Sequence, residues 1–336
     1  MFSWQARILL HSVLGRLLCF GSWIRNGRGL AYHVVLATHK ILILHPLPDN
    51  LPLAVTPLFA LPDHQVLVLE GPDASAFAQA QFANDVLALP VGHWQWNAWL
   101  TPKGRVIAVF ALLKPEDERL LLVMPDADAA ELATQLQRFV FRRKLKVTAD
   151  AGWQVAGSFN PPASAQTTRI GAEADSLELD YGSDQSPRNL QLVPATTALA
   201  LDTDVIALWR VQDLQHGLPR LSAAQREQWT AQQLSLERLP AFSVKKGCYP
   251  GQEIVARTHF LGKAKRGLVL FRAEAEVVDG AEVHAEDRSI GKVACSATNA
   301  GITWLLAVLP VDQETSTCSA GGVALRGIPL LDGLQR

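Results

Sequence analysis

Paired cysteines are missing from this chain. Its four cysteines, Cys19, Cys248, Cys295 and Cys318, show no C-x-x-C spacing and no histidine pair beside them. That excludes a zinc or iron–sulfur cage built from this chain alone, so no metal ligands are assigned. Sparse thiols of this kind fit a reducing compartment. Charge is scarce as well. Only 19% of the residues are charged and the formal net charge is −1. A near-neutral surface argues against a general nucleic-acid binder, and no direct nucleic-acid contact is expected.

Carboxylates are absent from residues 1–48, which carry Arg7, Arg16, Arg25, Arg28 and Lys40. Leu9, Leu10, Val13, Leu14, Leu17 and Leu18 fall at helical spacing. Three readings stay open: a mitochondrial presequence, a signal peptide interrupted by Arg16, or a start codon placed upstream of the true one. The apolar run is too short and too charged for a membrane span, and no membrane contact is expected. Residues 1–56 are therefore set apart as an N-terminal extension, loosely attached or poorly ordered. The low Lys and high Ala, Leu and Arg content suits a GC-rich bacterial gene and a cytoplasmic protein. The mitochondrial matrix is the alternative if the presequence is real.

What is present is a large apolar fraction, 49% of 336 residues, enough for two or three packed domains. Gln65–Glu70 alternates as a strand, and Gly71-Pro72-Asp73 punctuates before a helix over Ala74–Asn84. An aromatic-rich stretch, Trp94–Trp99, leads to a hairpin turn at Thr101-Pro102-Lys103-Gly104. Arg105–Leu113 and Arg119–Met124 read as strands. A helix opens at Pro125-Asp126, and Leu145–Thr148 returns as a strand. That order is similar to a split βαβ, ferredoxin-like unit over residues 57–150. Residues 151–244 are expected to hold a second α/β unit. Within it, residues 158–187 read as a poorly packed insertion and residues 218–244 as a long helical connection. From residue 267 to 336, short strands separated by Gly and Pro suggest a small antiparallel barrel. Cys295 lies in one of these strands and reads as a small core residue.

Between the body and the barrel, at residues 245–266, lies the densest run of chemistry: Lys245-Lys246-Gly247-Cys248-Tyr249-Pro250-Gly251-Gln252-Glu253-Ile254-Val255-Ala256-Arg257-Thr258-His259. Glycines permit close backbone approach to a ligand, and a thiol beside lysines favours thiolate. Lys245, Lys246, Arg257, Lys263, Lys265 and Arg266 face only Glu253. This local basic patch is either a solvated rim or a site for an anionic ligand such as a polyglutamate tail. On a helix, Glu253 and Arg257 would pair at i,i+4.

Lys246, Gly247, Cys248, Tyr249, Gly251, Gln252 and Glu253 match a pattern, Lys-Gly-Cys-Tyr-x-Gly-Gln-Glu, that resembles the signature of the YgfZ family. These are folate-binding proteins related to the T-protein, the aminomethyltransferase of the glycine cleavage system. The resemblance covers about residues 57–335. It takes in Leu61-Pro62-Asp63-His64, the Thr101–Val106 turn, and Trp209 through Gly217-Leu218-Pro219. It implies an α+β fold of ferredoxin-like, T-protein-like units followed by the barrel, with tetrahydrofolate as cofactor. Folate-contacting positions fall at His64 and Trp209, where an indole would stack on a pteridine, with Gly247, Tyr249, Gly251, Gln252 and Arg257 beside the ligand. Gln212 and Asp213 would meet the pterin edge.

The resemblance also implies support of iron–sulfur enzyme assembly or repair, and through a partner such as a tRNA methylthiotransferase, an effect on tRNA modification. Cys248 is then a nucleophile or redox thiol activated by Lys245 and Lys246, a transient ligand to a partner's cluster, or a structural thiol. Glu253 and His259 are the candidate bases. One departure from the T-protein bears on activity. The strand beginning near Val106 reads Val106-Ile107-Ala108-Val109-Phe110 and lacks the carboxylate that orients the folate reaction. A T-protein-like one-carbon transferase remains the alternative reading.

Overall fold

The computed structural model describes residues 57–336, except 263, 314, 316 and the side chain of Leu261, and the backbone of three strands upstream. The expected helical pattern over Leu9–Leu18, and Cys19, lie outside the described residues. The chain divides into two units, Met1–Val55 and Thr56–Arg336. In the first, β1 (Gly21–Arg25), β2 (Ala31–Ala37) and β3 (Lys40–Leu44) pair as an antiparallel meander.

The second unit opens with β4 (Phe59–Ala60), β5 (His64–Glu70), α1 (Ala74–Gln81), β6 (His93–Leu100), β7 (Val106–Glu116), β8 (Arg119–Pro125), α2 (Ala129–Gln137) and β9 (Lys146–Ala149). Its sheet runs β6-β7-β8-β5-β9, every pairing antiparallel. Strands β7, β8, β5 and β9 keep the split order expected from sequence, and β6 is added at the edge. The unbroken apolar runs in β7 and β8 follow from burial on both faces. Alternation still sorts the residues. Val66 and Val68 join a core with Trp94, Trp96 and Trp209, while Leu67 and Leu69 join a second core with Phe77, Leu132 and Leu136. The Asp128 carboxylate accepts from the N–H groups of Ala130 and Glu131, capping α2.

Next come β10 (Trp153–Ser158), β11 (Gly171–Glu173), β12 (Ser176–Asp180) and β13 (Asn189–Pro194), in a sheet ordered β11-β12-β13-β10-β4. The expectation of a poorly packed insertion at residues 158–187 is corrected here. Leu179 and Tyr181 are fully buried. The Glu178 carboxylate accepts from the N–H groups of Ala163, Ser164 and Ala165, which fixes the polar loop over the sheet. Helix α3 (Thr203–Gln215) starts at Asp202, whose side chain accepts from Asp204 N and Val205 N.

The long helix expected over residues 218–244 is also corrected. Only two single turns form, Ala223–Gln225 and Leu236–Arg238. The backbone there is spent on the start of β7 instead: Glu227 N donates to Val106 O and Val106 N to Trp229 O, both at 2.8 Å. Glu227 and Ser235 sit at positive φ, which interrupts any helix. About half of residues 245–266 is helical, as α4 (Gln252–Leu261).

The chain ends in a closed six-stranded barrel, β14 (Arg266–Ala273), β15 (Glu282–Ala285), β16 (Arg288–Asn299), β17 (Ile302–Pro310), β18 (Cys318–Ala320) and β19 (Val323–Ile328), ordered β14-β17-β16-β15-β18-β19. Cys295 is buried there at 1% exposure, as its strand setting implied. Beyond β19 the chain returns to the body, where Leu334 O accepts from Trp96 Nε1 at 2.8 Å. No helix among the described residues is long and apolar enough to cross a membrane.

Candidate functional site

Two glycines set the signature segment. Gly251 begins α4 at φ +81°, and a Cβ there would lie 2.7 Å from both Gly104 Cα and Thr101 O. Gly104, at φ +70°, would place a Cβ 2.8 Å from the Ile254 side chain. The Thr101–Arg105 turn and the signature segment are thus locked back to back, in left-handed conformations that favour glycine. Gly247 has open space around it.

Lys246 turns inward. At 6% exposure, its ammonium donates to Gln79 O at 2.6 Å and Asn84 O at 3.0 Å, and to Phe82 O. These are carbonyls at and just beyond the end of α1, where a cation satisfies acceptors the helix leaves open. Burial pulls its pKa down to about 8, against the attraction of Asp85. The expectation of a free cation activating the thiol is corrected: the three N–H donors are committed to carbonyls, and Lys246 is an anchor. Its ammonium also lies 4.8 Å from the Tyr249 ring centroid. Tyr249 is buried, donates to Ser243 O at 3.2 Å, and burial pushes its pKa up to about 12. Gln252 Nε2 donates to Lys246 O at 3.2 Å, closing the turn.

Cys248 is exposed between these anchors, whereas Cys295 and Cys318 are buried, and burial raises the Cys295 thiol far above its ordinary pKa. Glu253 and Arg257 pair at 2.7 Å on the exposed side of α4, the i,i+4 contact the spacing implied, worth a few tenths of a kcal/mol. His259 is exposed and packs edge-on against Phe260 at 4.9 Å. Lys245 lines a cleft of about 710 Å³ with Asn84, His93, Trp94, Phe242 and Arg336. Cys248 is not among its lining residues.

The other sequence-assigned residues lie in a buried charge network. Asp213 on α3 holds Arg188 at 2.7 Å and Arg220 at 2.7 Å. Arg220 also reaches Asp126 at 2.5 Å, and Asp63. Asp63 accepts from Arg210 at 2.9 Å and contacts His64 Nδ1 at 2.8 Å. Burial would raise the Asp63 carboxyl; the His64 hydrogen bond and the charges of His64, Arg220 and Arg210 outweigh it and hold the pKa well below the carboxylate range. Arg188 lies 4.6 Å from the Trp209 ring centroid and 5.1 Å from that of Tyr181. Tyr181 stacks between Trp209 and Trp94, at 5.7 Å and 6.1 Å.

Trp209 is therefore not an open platform. Its indole has no exposure and is enclosed by Phe59, Phe159, Tyr181 and Arg188, so the expected ring stacking on a pteridine is corrected. What remains unpaired is polar. Trp209 Nε1, Arg188 Nη2, Gln212 Oε1, His64 Nε2 and His216 Nε2 are all buried without a partner. A buried unpaired polar atom costs about 1–3 kcal/mol, and most native groups avoid it. His64, Arg188 and Trp209 are joined through Asp63, Arg220 and Asp213, and unpaired polar atoms there are of the kind that the hydrogen-bonding edge of a pterin would satisfy. Asp213 is committed to its two arginines. Sequence reading did not single out Arg188, Arg220, Asp126 or Tyr181, because a buried Arg looks like a surface Arg until its partners are known.

No family model matches the chain. An uncharacterized protein of Haemophilus influenzae is 30% identical over 265 residues, covering 76% of this chain and 90% of that protein. The tRNA-modifying protein YgfZ of Colwellia psychrerythraea is 29% identical over 250 residues, covering 68% of this chain and 76% of its own length. Among solved structures, the glycine cleavage system aminomethyltransferase T of Bartonella henselae superposes with a TM-score of 0.66 at 15% identity, covering 82% of this chain and 85% of that one. The last likeness is one of fold.

Proposed function

The chain belongs to the YgfZ family, and from that premise we propose that it binds tetrahydrofolate and supports the assembly or repair of iron–sulfur enzymes that modify tRNA. The observation that carries the reading is the set of orphaned polar atoms on the Arg188–Asp213–Trp209 network. Trp209 Nε1 and Arg188 Nη2 would donate to the ligand, and Gln212, His64 and His216 would complete its edge. When bound, the folate supplies a one-carbon carrier or a reduced pterin. Relatives carry the name tRNA-modifying protein, and a cytoplasmic location accords with that role.

Cys248 is the group that meets a partner. It is exposed on a segment pinned by Lys246, Tyr249 and Gly251, so its position is fixed while its sulfur is open. A thiol presented this way is suited to transient ligation of a partner's cluster or to nucleophilic attack. Aminomethyl transfer is the less supported alternative. Val106 to Phe110 form a buried apolar stretch of β7 with no carboxylate, so no side chain there takes the orienting role.

Two measurements test this. Calorimetric titration should show tetrahydrofolate binding that weakens roughly tenfold in Gln212→Met, which keeps the length of the side chain and removes its amide, a difference of about 1.4 kcal/mol. Absence of binding to the unaltered protein would overturn the folate reading. Separately, Cys248→Ala should fold normally and fail to restore methylthiolated tRNA in a strain lacking the protein; full restoration would remove the thiol from the mechanism.

A further inference from the structure

The near-zero net charge conceals a second concentration of positive charge, away from the signature segment. Residues 138–146, Arg-Phe-Val-Phe-Arg-Arg-Lys-Leu-Lys, contain five cations and no carboxylate. They form the turn between α2 and edge strand β9. Val140 is buried and Leu145 packs on the second core, so the turn is held from below. Its backbone is ordered: Arg143 N donates to Val140 O at 2.9 Å and Lys144 N to Asp73 Oδ2 at 2.6 Å.

Everything else points outward. Arg138, Arg142, Arg143, Lys144 and Lys146 are exposed, as are Phe139 at 41% and Phe141 at 86%. Phe141 adopts φ +48°, an unusual conformation for a bulky side chain. Two carboxylates lie near: Asp73 is engaged with the Lys144 N–H, and Glu70 stands opposite Lys146 in the β5–β9 register. Among the described residues, none of the five cations forms a salt bridge with a neighbour. An isolated exposed Phe is unremarkable. Two of them interleaved with five free cations are the pairing that single-stranded nucleic acid uses, with cations on phosphates and rings under unpaired bases. A membrane-binding face needs a broader apolar surface than two rings supply.

We propose that the 138–146 turn is a docking surface for an unpaired segment of RNA, such as a tRNA loop. The surface would bring the RNA substrate of a modifying partner to this protein, and to that extent it rests on the tRNA-modification reading. It replaces the expectation, drawn from whole-chain charge, that RNA is not contacted directly.

The test is fluorescence anisotropy with an unmodified tRNA transcript and its isolated anticodon stem-loop, from 25 to 200 mM KCl, on the full chain. Arg142→Glu/Arg143→Glu/Lys144→Glu should weaken binding at least tenfold and lower the log–log salt slope by about 2, from about 0.7 per phosphate contact on single strands. Phe141→Ala should weaken stem-loop binding about tenfold while leaving the salt slope unchanged. Unchanged melting temperatures would confirm that these exposed changes spare the fold. The proposal is overturned if the unaltered protein does not bind RNA at 25 mM KCl, or if the triple variant binds as tightly. It is equally overturned if anionic phosphatidylglycerol vesicles or polyglutamate bind with the same affinity and the same dependence on Phe141. Tetrahydrofolate titration of the same variants reads the folate site independently, so loss of one proposal leaves the other standing.

Discussion

Arg188 and Asp213 meet at 2.7 Å with both side chains at zero exposure. Asp213 also holds Arg220, so one carboxylate bridges two buried guanidinium groups. Removing one partner of such a set leaves an uncompensated charge in a medium that solvates it poorly. Asp213→Asn should therefore lower stability by about 3–5 kcal/mol in equilibrium urea unfolding. A loss of under about 1 kcal/mol would show that water reaches and screens the pair.

Lys246 offers a test with a pH signature. Lys246→Met leaves three carbonyls facing an apolar side chain and should cost about 2–3 kcal/mol near neutral pH. The folded-state pKa is about 8 against an ordinary 10.5. Between those values the unfolded chain binds more protons than the folded one, so this group makes stability rise with pH across that window. The difference in unfolding free energy between the unaltered protein and Lys246→Met, followed from pH 7.5 to 10, should grow. A flat difference would mean the ammonium is not desolvated.

His216 acts at the acid end. Burial and then the Arg188 charge draw its pKa down to about 4, against Asp213 and a hydrogen bond to Asp332 O. A folded-state value below the unfolded 6.5 means that its contribution is intact above pH 6.5 and lost as pH falls toward 4. That loss should reach about 3 kcal/mol at most. Urea midpoints of His216→Phe between pH 7 and 4 should fall less steeply than those of the unaltered chain; parallel slopes would assign the acid sensitivity elsewhere.

Gly251 and Gly247 should separate sharply. Gly251→Ala forces a side chain into left-handed backbone and against Gly104 and Thr101, for an expected loss of about 2–4 kcal/mol. Gly247→Ala meets nothing within 4 Å and should change stability by less than about 0.5 kcal/mol. Thermal or chemical denaturation of the pair reads this directly, and equal effects would refute the back-to-back lock.

Much of the scaffold was legible because it follows local rules. Period-2 alternation marked β5, short apolar runs marked β7 and β8, Gly and Pro between short strands marked the barrel, and the Glu253–Arg257 pair followed from helical spacing. Residues 218–244 were misread because their backbone bonds to β7, a partner more than a hundred residues away. Lys246 was misread for a related reason. In the chain it stands two residues from Cys248, and proximity in sequence suggested electrostatic help. In space its ammonium is claimed by the end of α1.

The linear order of residues settled the family, the α+β class, the closing barrel and the identity of the one segment crowded with reactive groups, because motifs and periodicities are local. Only the folded chain decided which of those groups are open and which are spent. Desolvation depends on what packs around a side chain, so it buried Trp209, enclosed Lys246, gathered Arg188, Asp213 and Arg220 into one network, and left Cys248 and the 138–146 turn facing solvent.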